Sequence, residues 1–398
     1  VRGQPVLSHD LPAPSADERA HSDALLDAIR AEIAATGPMP FSRYMERCLY
    51  APGFGYYSAG RTKFGAAGDF VTAPELGDLF ARCIAHALAP SLRELGDAAD
   101  FIELGGGSGA FAIAALRELA AIDALPQRYR ILEPSADLRE RQRTRALDEL
   151  PRELAARIDW LERPPESPWR GVLFANEVVD ALPATRFAVL DGEVLEEHIT
   201  LDGARLARVD RPADALVTGA VRHAERALGH PFAHGYRSEI LPQLPYWLQA
   251  VGASLQAGVM LFVDYGYVRS EFYLPERRDG TVVCHYRHHA HADPLHWPGL
   301  QDITAFVDFS ALAEAGVGAG FDRVGYAAQG AFLVAAGLAD RVGDLDALSE
   351  RERLRRVAEV KRLTLPGEMG ERFQAIAFAR GIEHALPGLR LVDRSRRL

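Results

Sequence analysis

The stretch Asp100-Phe101-Ile102-Glu103-Leu104-Gly105-Gly106-Gly107-Ser108-Gly109 runs from a short apolar segment directly into a cluster of glycines. A second apolar segment, Tyr129-Arg130-Ile131-Leu132, closes on the carboxylate of Glu133. This order predicts a strand, a glycine turn that opens a helix, and a second strand ending in an acid. Glycine lets the backbone turn tightly and approach a ligand, and the first turn of the following helix presents free N–H groups. A carboxylate ending the second strand suits the paired hydroxyls of a ribose. The pattern points to a nucleoside-containing cofactor and leaves its kind open. Gly105-x-Gly107-x-Gly109 fits a site for S-adenosylmethionine (SAM), while Gly105-x-Gly107-x-x-Ala110 satisfies the dinucleotide fingerprint, whose last position admits Ala. The same run would also serve a tight strand–helix junction that holds no ligand.

The alternation continues downstream. Strands are expected at Phe101–Leu104, Tyr129–Leu132, Ile158–Leu161, Val172–Ala175 and Val259–Val263, with helical runs joining the first three. Such alternation implies a parallel sheet covered on both faces, and right-handed crossovers leave little beyond a doubly wound α/β sheet. Upstream, Leu25, Leu26, Ile29 and Ile33 recur at helical spacing as far as Gly37-Pro38. The rhythm breaks twice. Phe187–Leu195 predicts a hairpin turning at Asp191-Gly192, and the stretch from Tyr265 to about Phe309 is rich in aromatics, His and Arg. Insertions after strand ends fall at the ligand-binding edge of such sheets, so both are expected to meet a protein substrate. The organisation expected is a flexible tail over 1–20, a helical, lid-like segment over 21–97 and a Rossmann-like core over 98–335 with insertions at about 184–240 and 266–310. A C-terminal helical segment over 336–398 follows, in which Ser349-x-x-Glu352 reads as a capping box.

Composition narrows the partners. A net charge of −10 over 398 residues argues against a general nucleic-acid surface, so no nucleic-acid partner is expected. No apolar run reaches membrane-spanning length, and the first residues lack the features of a signal or transit peptide. Cys48, Cys83 and Cys284 stand far apart, as in a reducing compartment; a cytoplasmic location is expected, and self-association is left open. His285, His288, His289, His291 and His296 crowd together, yet no Cys or carboxylate stands at metal-ligand spacing. No metal is expected there, and the cluster reads as a surface loop contacting a partner.

Several blocks resemble a known family: Gly68-Asp69-Phe70-Val71-Thr72-Ala73-Pro74-Glu75, Glu103-Leu104-Gly105, Glu133-Pro134-Ser135 and Asn176-Glu177-Val178-Val179-Asp180-Ala181-Leu182-Pro183. Asp264-Tyr265-Gly266, Pro298-Gly299-Leu300-Gln301-Asp302-Ile303-Thr304 and Leu363-Thr364-x-Pro366-x-x-Met369-Gly370-Glu371 continue the series in order. Together they resemble the MidA family of SAM-dependent methyltransferases, relatives of the mitochondrial complex I assembly methyltransferase. The resemblance implies a class I methyltransferase fold whose last strand runs antiparallel, SAM as cofactor, a protein arginine as acceptor, and a part in assembling a respiratory-type complex. The family usually places Pro and a larger residue inside the glycine turn, where this chain has Gly106 and Ser108. It commonly has Ser-Gln where Gly77-Asp78 stand here.

Under this resemblance Gly105, Gly107 and Gly109 admit the amino-acid part of SAM, and Glu103 orients that loop or, through water, the cofactor ammonium. Glu133 takes the ribose hydroxyls with Ser135 on the same edge; the local alternative for Glu133 is the N-cap of the next helix. Asp69 and Thr72 lie in a block that resembles a lid over the cofactor, with Glu75 beside them. Asn176, Glu177 and Asp180 follow the fourth strand, where cofactor and acceptor should meet. An arginine stays protonated up to a pKa above about 12, and paired carboxylates grip its guanidinium bidentately. Glu177 and Asp180 would share a face if a helical turn began there; Asp180 would otherwise cap the turn before Pro183. Asp264-Tyr265-Gly266 would shape the acceptor pocket. Two other readings stay open: a nicotinamide-dependent oxidoreductase, and a non-catalytic assembly factor on a methyltransferase fold.

Overall fold

The computed structural model describes residues 11–58 and 72–398. Helix α1 (Ala16–Thr36) opens on a capping box in which Ser15 and Glu18 exchange side-chain and backbone hydrogen bonds. It buries Leu25, Ile29 and Ile33 and stops where Gly37 takes φ +86°. The chain is therefore helical from Ala16, and the tail expected to reach residue 20 ends sooner, because the Ser15-x-x-Glu18 signal starts the helix ahead of its apolar face. Helices α2 (Phe41–Tyr50) and α3 (Leu79–Leu95) complete the N-terminal part.

The central sheet is built from β1 (Asp100–Leu104), β2 (Tyr129–Leu132), β3 (Ile158–Leu161), β4 (Trp169–Asn176), β5 (Leu255–Tyr267), β6 (Asp322–Ala328) and β7 (Phe373–Arg380). Their spatial order is β3-β2-β1-β4-β5-β7-β6, with the short strand Val307–Asp308 added in parallel to the end of β5. The first five pair in parallel, and β7 runs antiparallel to both neighbours. This is a doubly wound α/β sheet with its last strand reversed. The core does not end at residue 335 as expected. The segment after it supplies β7, which is wedged between β5 and β6.

Helices α4 (Ala110–Ala121) and α5 (Ala136–Glu149) connect the first strands, and α6 (Ala215–Leu228) lies in the first insertion. Next come α7 (Leu244–Gly252), α8 (Phe309–Gly318) and, near the C-terminus, α9 (Glu350–Thr364). Side chains alternate across the strands, so Phe101, Phe174 and Leu261 meet α3 and α4 on one face. Ile102, Leu173 and Phe262 meet α7 and α8 on the other. With both faces covered, the inner strands are apolar throughout, as parallel strands must be.

The first insertion is a sheet of its own. The hairpin of Thr185–Leu190 and Glu193–Asp202 turns at Asp191-Gly192 and is extended by Arg205–Pro212, Tyr236–Ile240 and Met39–Pro40. The second forms a small antiparallel sheet from Val283–Tyr286, His289–His291 and Asp302–Thr304. Helices α1 and α2 pack against both through Leu25, Phe41, Tyr44, Ile199, Cys284 and Ile303. The two insertions and the N-terminal helices thus stand as one wall at the carboxyl ends of the strands.

Candidate active site

β1 delivers the chain into the glycine turn, where Gly105, Gly107 and Gly109 take φ values of +67°, +52° and +82°. These lie in the left-handed region that only glycine enters without strain. Gly109 is the N-cap of α4, so that helix aims its first turn at the cavity below the loop. The loop is braced from α5: Gln142 Nε2 donates to the Gly107 carbonyl at 2.9 Å and reaches Glu133 Oε2 at 3.4 Å, while Trp160 Nε1 donates to Gln142 Oε1 at 2.8 Å. Gln142 is buried and links the glycine turn to the acid at the end of β2, a role no motif announced.

Glu133 Oε1 accepts the Ser135 N–H at 3.0 Å. The capping role weighed for Glu133 falls instead to Ser135, whose hydroxyl accepts from Leu138 N and starts α5. Glu133 is left facing the cavity, and Ser135 lines the same edge while holding the helix. Burial pushes the Glu103 carboxyl up to about 8, and the Tyr129 hydroxyl donates to it at 2.7 Å.

The loop after β4 carries the second group of acids. Its path is not the helical turn expected. Asp264, at the end of β5, accepts the N–H groups of Val178, Val179 and Asp180 on one oxygen, at 3.2, 3.0 and 3.3 Å. Those donors bend the chain around a carboxylate, and Asp264 shapes the pocket by holding this loop rather than by touching an acceptor. Glu177 sits at φ +54°, a conformation uncommon for a residue with a side chain. Asn176 Nδ2 donates to Glu177 Oε1 at 2.8 Å. Burial, reinforced by the nearby Asp180, raises the Glu177 carboxyl to about 8. Burial also raises Asp180 to about 6, against a hydrogen bond from the Tyr265 hydroxyl. Asp264 is raised by burial and by the charge of Asp180. The Oδ1 atoms of Asn176 and Asp180 are buried without a hydrogen-bond partner.

Glu103, Glu133, Ser135, Asn176, Glu177 and Asp180 line one cavity of about 490 Å³, together with Thr72, Glu75, Gly105, Gly107, Tyr50, Tyr57, Asp302 and His285. That volume suits a nucleoside-sized ligand. Thr72 precedes the short helix Ala73–Leu76, and Glu75 within it accepts the Ser108 hydroxyl, which Arg145 also reaches at 2.7 Å. Asp69 lies outside the described residues. Gly109 supports the loop as the helix cap and is not among the cavity-lining residues. Tyr57 donates to Asp302 at 2.9 Å and stacks on Tyr50, giving the cavity an aromatic wall. Nothing in the sequence pattern singled out that wall, although Asp302 stands in one of the family blocks. The histidine cluster is only partly a surface loop: His288 and His296 are exposed, but two others are not. His285 lines the cavity with its pKa lowered to about 4 by burial, and His291 is buried in the small sheet. Among the described residues no group of three or more His, Cys, Asp or Glu side chains is placed to hold a metal.

The departures from the family pattern have local reasons. A Cβ on Gly106 would lie 2.6 Å from Ile131 Cγ2 and 3.1 Å from Gln142 Nε2, so the bracing glutamine occupies the space. A Cβ on Gly77 would lie 2.4 Å from the Glu359 carboxylate, which reaches in to accept the Leu79 N–H at 2.8 Å.

A strand order with the reversed β7 between β5 and β6, a glycine turn after β1 and an acid closing β2 define a class I SAM-dependent methyltransferase. A dinucleotide-binding sheet has no such wedge. The sequence model of a family of S-adenosyl-L-methionine-dependent methyltransferases, Methyltransf_28, matches residues 83–327. The chain belongs to that family, the MidA group expected from its blocks. A crystal structure of a COG1565 superfamily member from Burkholderia thailandensis, bound to S-adenosyl-homocysteine (SAH), is 42% identical, with a TM-score of 0.90 over 98% of this chain and 100% of that one. The mitochondrial protein arginine methyltransferase NDUFAF7 homologue of Drosophila melanogaster is 28% identical over 96% of this chain and 91% of its own length. Human protein arginine methyltransferase NDUFAF7 is 26% identical over 87% and 81%. The cofactor is SAM, and the nicotinamide reading is set aside.

Proposed function

We propose that the protein transfers a methyl group from SAM to an arginine side chain of a protein. The carrying observation is the pair of carboxyls at the end of the cofactor cavity, Glu177 partly buried and Asp180 buried, with one Asp180 oxygen lacking any partner. A buried acid in that condition calls for a cation. The bound cofactor supplies an electrophilic methyl on a sulfonium. The residues of this chain do the rest. Glu177 and Asp180 hold the guanidinium by charge-assisted hydrogen bonds, aim one nitrogen at the methyl and accept the proton which that nitrogen loses as the new C–N bond forms. Asn176 fixes the Glu177 carboxyl, and Asp264 fixes the loop. The aromatic wall of Tyr50 and Tyr57 keeps water away from the reacting atoms, which is most of what an in-line displacement requires.

The names of the NDUFAF7 relatives support an arginine acceptor, and the resemblance to that group suggests a subunit of a respiratory-type complex as client. The assembly-factor reading rested on Gly106, Ser108 and Gly77-Asp78, and the packing reasons for Gly106 and Gly77 speak against two of those grounds. The test is transfer of labelled methyl from SAM to protein in a lysate, followed by amino-acid analysis of the product. Methylarginine is expected, and methyl label on any other residue would refute the acceptor. Glu177→Gln and Asp180→Asn should each lower kcat about a hundredfold or more with SAH affinity nearly unchanged.

A further inference from the structure

A second cavity, of about 710 Å³, lies against the first. It is bounded by α6, α7, α8 and the strand Tyr236–Ile240, and it opens to solvent beside Leu216 (42% exposed) and Tyr246 (63% exposed). Asp180, Leu182 and Phe306 line both cavities and form the partition between them. The walls of the second carry the carboxylates of Asp180, Glu239, Asp308 and Glu314 against one guanidinium, Arg269. Arg269 is consumed locally by Asp308 at 3.1 Å and Glu314 at 2.6 Å, and Glu239 by Arg186 at 3.3 Å. The unpartnered Asp180 Oδ1 is the exception, on a residue only 5% exposed.

From this the geometry points to the second cavity as the entrance for the acceptor: a guanidinium-bearing side chain of a protein segment, with an apolar neighbour seated at Leu216 and Tyr246, passes the Leu182–Phe306 partition to reach Asp180. The inference rests on the proposed arginine acceptor and deepens it. In-line displacement requires the nucleophile to approach the methyl from the side opposite the sulfur, so cofactor and acceptor need separate approaches. The glycine turn and Glu133 take the cofactor on the first side. The shared wall at Asp180 is where a second approach would have to arrive. The unpartnered Asp180 oxygen, in a wall whose other carboxylates are already paired, suits a cation, and the exposed aromatic and aliphatic rim suits an apolar flanking residue. The first insertion then has a task, since α6 and Tyr236–Ile240 form one side of the passage.

Two glycines make the mouth testable. A Cβ on Gly219 in α6, or on Gly318 at the end of α8, would meet nothing within 4 Å, and both residues line the cavity. Gly219→Trp and Gly318→Trp therefore start from unobstructed Cβ positions and set an indole at the mouth of the passage, and Gly219→Ala is the control. The full-length protein and these variants are titrated calorimetrically with SAH and with a bisubstrate probe. In the probe, nitrogen replaces the SAH sulfur and is joined by a short alkyl link to the guanidine of an arginine in a blocked tripeptide. The wild type should bind the probe about tenfold or more tighter than SAH. The plugged variants should keep the SAH affinity and lose that gain, and Gly219→Ala should keep both. Plugged variants that retain the gain would overturn the entrance while leaving the arginine reading intact. A wild type that binds the probe no better than SAH would overturn the arginine reading, and the entrance with it.

Discussion

Glu103, Glu177 and Asp180 line one cavity, Asp264 holds the loop that carries two of them, and desolvation raises all four carboxyls above the usual carboxylate range. For Glu103 and Glu177, raised to about 8, the folded protein keeps protons that the unfolded chain has released above about pH 4.5. Stability of the ligand-free protein should therefore fall as pH rises from about 5 to 8, by at most about 1.4 kcal/mol per pH unit for each such group. Glu177→Gln should flatten that slope in a series of denaturant melts. Activity should run the other way. Gripping a cation needs ionised acids, so kcat/KM should climb from pH 6 towards 8, and Glu177→Gln should remove the upper inflection. At this scale much of the site was legible, because Glu133, Asn176, Glu177 and Asp180 sit at strand ends where the alternating pattern puts a ligand. Tyr57, His285, Asp302 and Gln142 were not, since nothing local in their segments shows what the fold brings beside them. Glu177 and Asp180 do meet at one cavity, but without a helical turn, because the loop takes its shape from Asp264, which is remote in sequence.

Between elements, two contacts carry consequences. The N-terminus of α3 has no side-chain cap of its own, and Glu359 on α9 reaches across to supply one at Leu79. Glu359→Ala should cost about 1 kcal/mol, as loss of a helix cap does, and lower the melting temperature by roughly 2–4 °C. Gly77→Ala should cost about as much, because the new methyl displaces that carboxylate and the cap is lost with it. The second contact is Gln142, which ties the glycine turn to Glu133. Gln142→Ala should weaken SAH binding by about tenfold or more, as losses of supporting hydrogen bonds do at comparable sites, while the residual kcat at saturation changes little. Calorimetry and a saturation curve would separate the two effects. A Gln at mid-helix announces no such role, which is why only the structure assigns it.

In the molecule as a whole, one side of the sheet is completed by β7, which joins the edge strand β6 to β5. Phe378 is fully buried, packs edge-to-face with Phe262 at 6.2 Å, and fills the space left by Gly316. Phe378→Ala should cost about 3–5 kcal/mol, measured by chemical denaturation. The parallel strands and the hairpin at Asp191-Gly192 could be read in advance because apolar runs and turn residues mark them. β7 escaped notice because Phe373-Gln-Ala-Ile-Ala-Phe-Ala-Arg is rich in alanine, a helix former that serves here only as a small residue buried between neighbours. Its position bears on how the protein is made. As the chain leaves the ribosome, β5 and β6 appear with a gap between them that only a much later segment can fill. At roughly 5–20 residues per second they wait several seconds with unpaired edges exposed, a window in which a nascent chain would benefit from a chaperone.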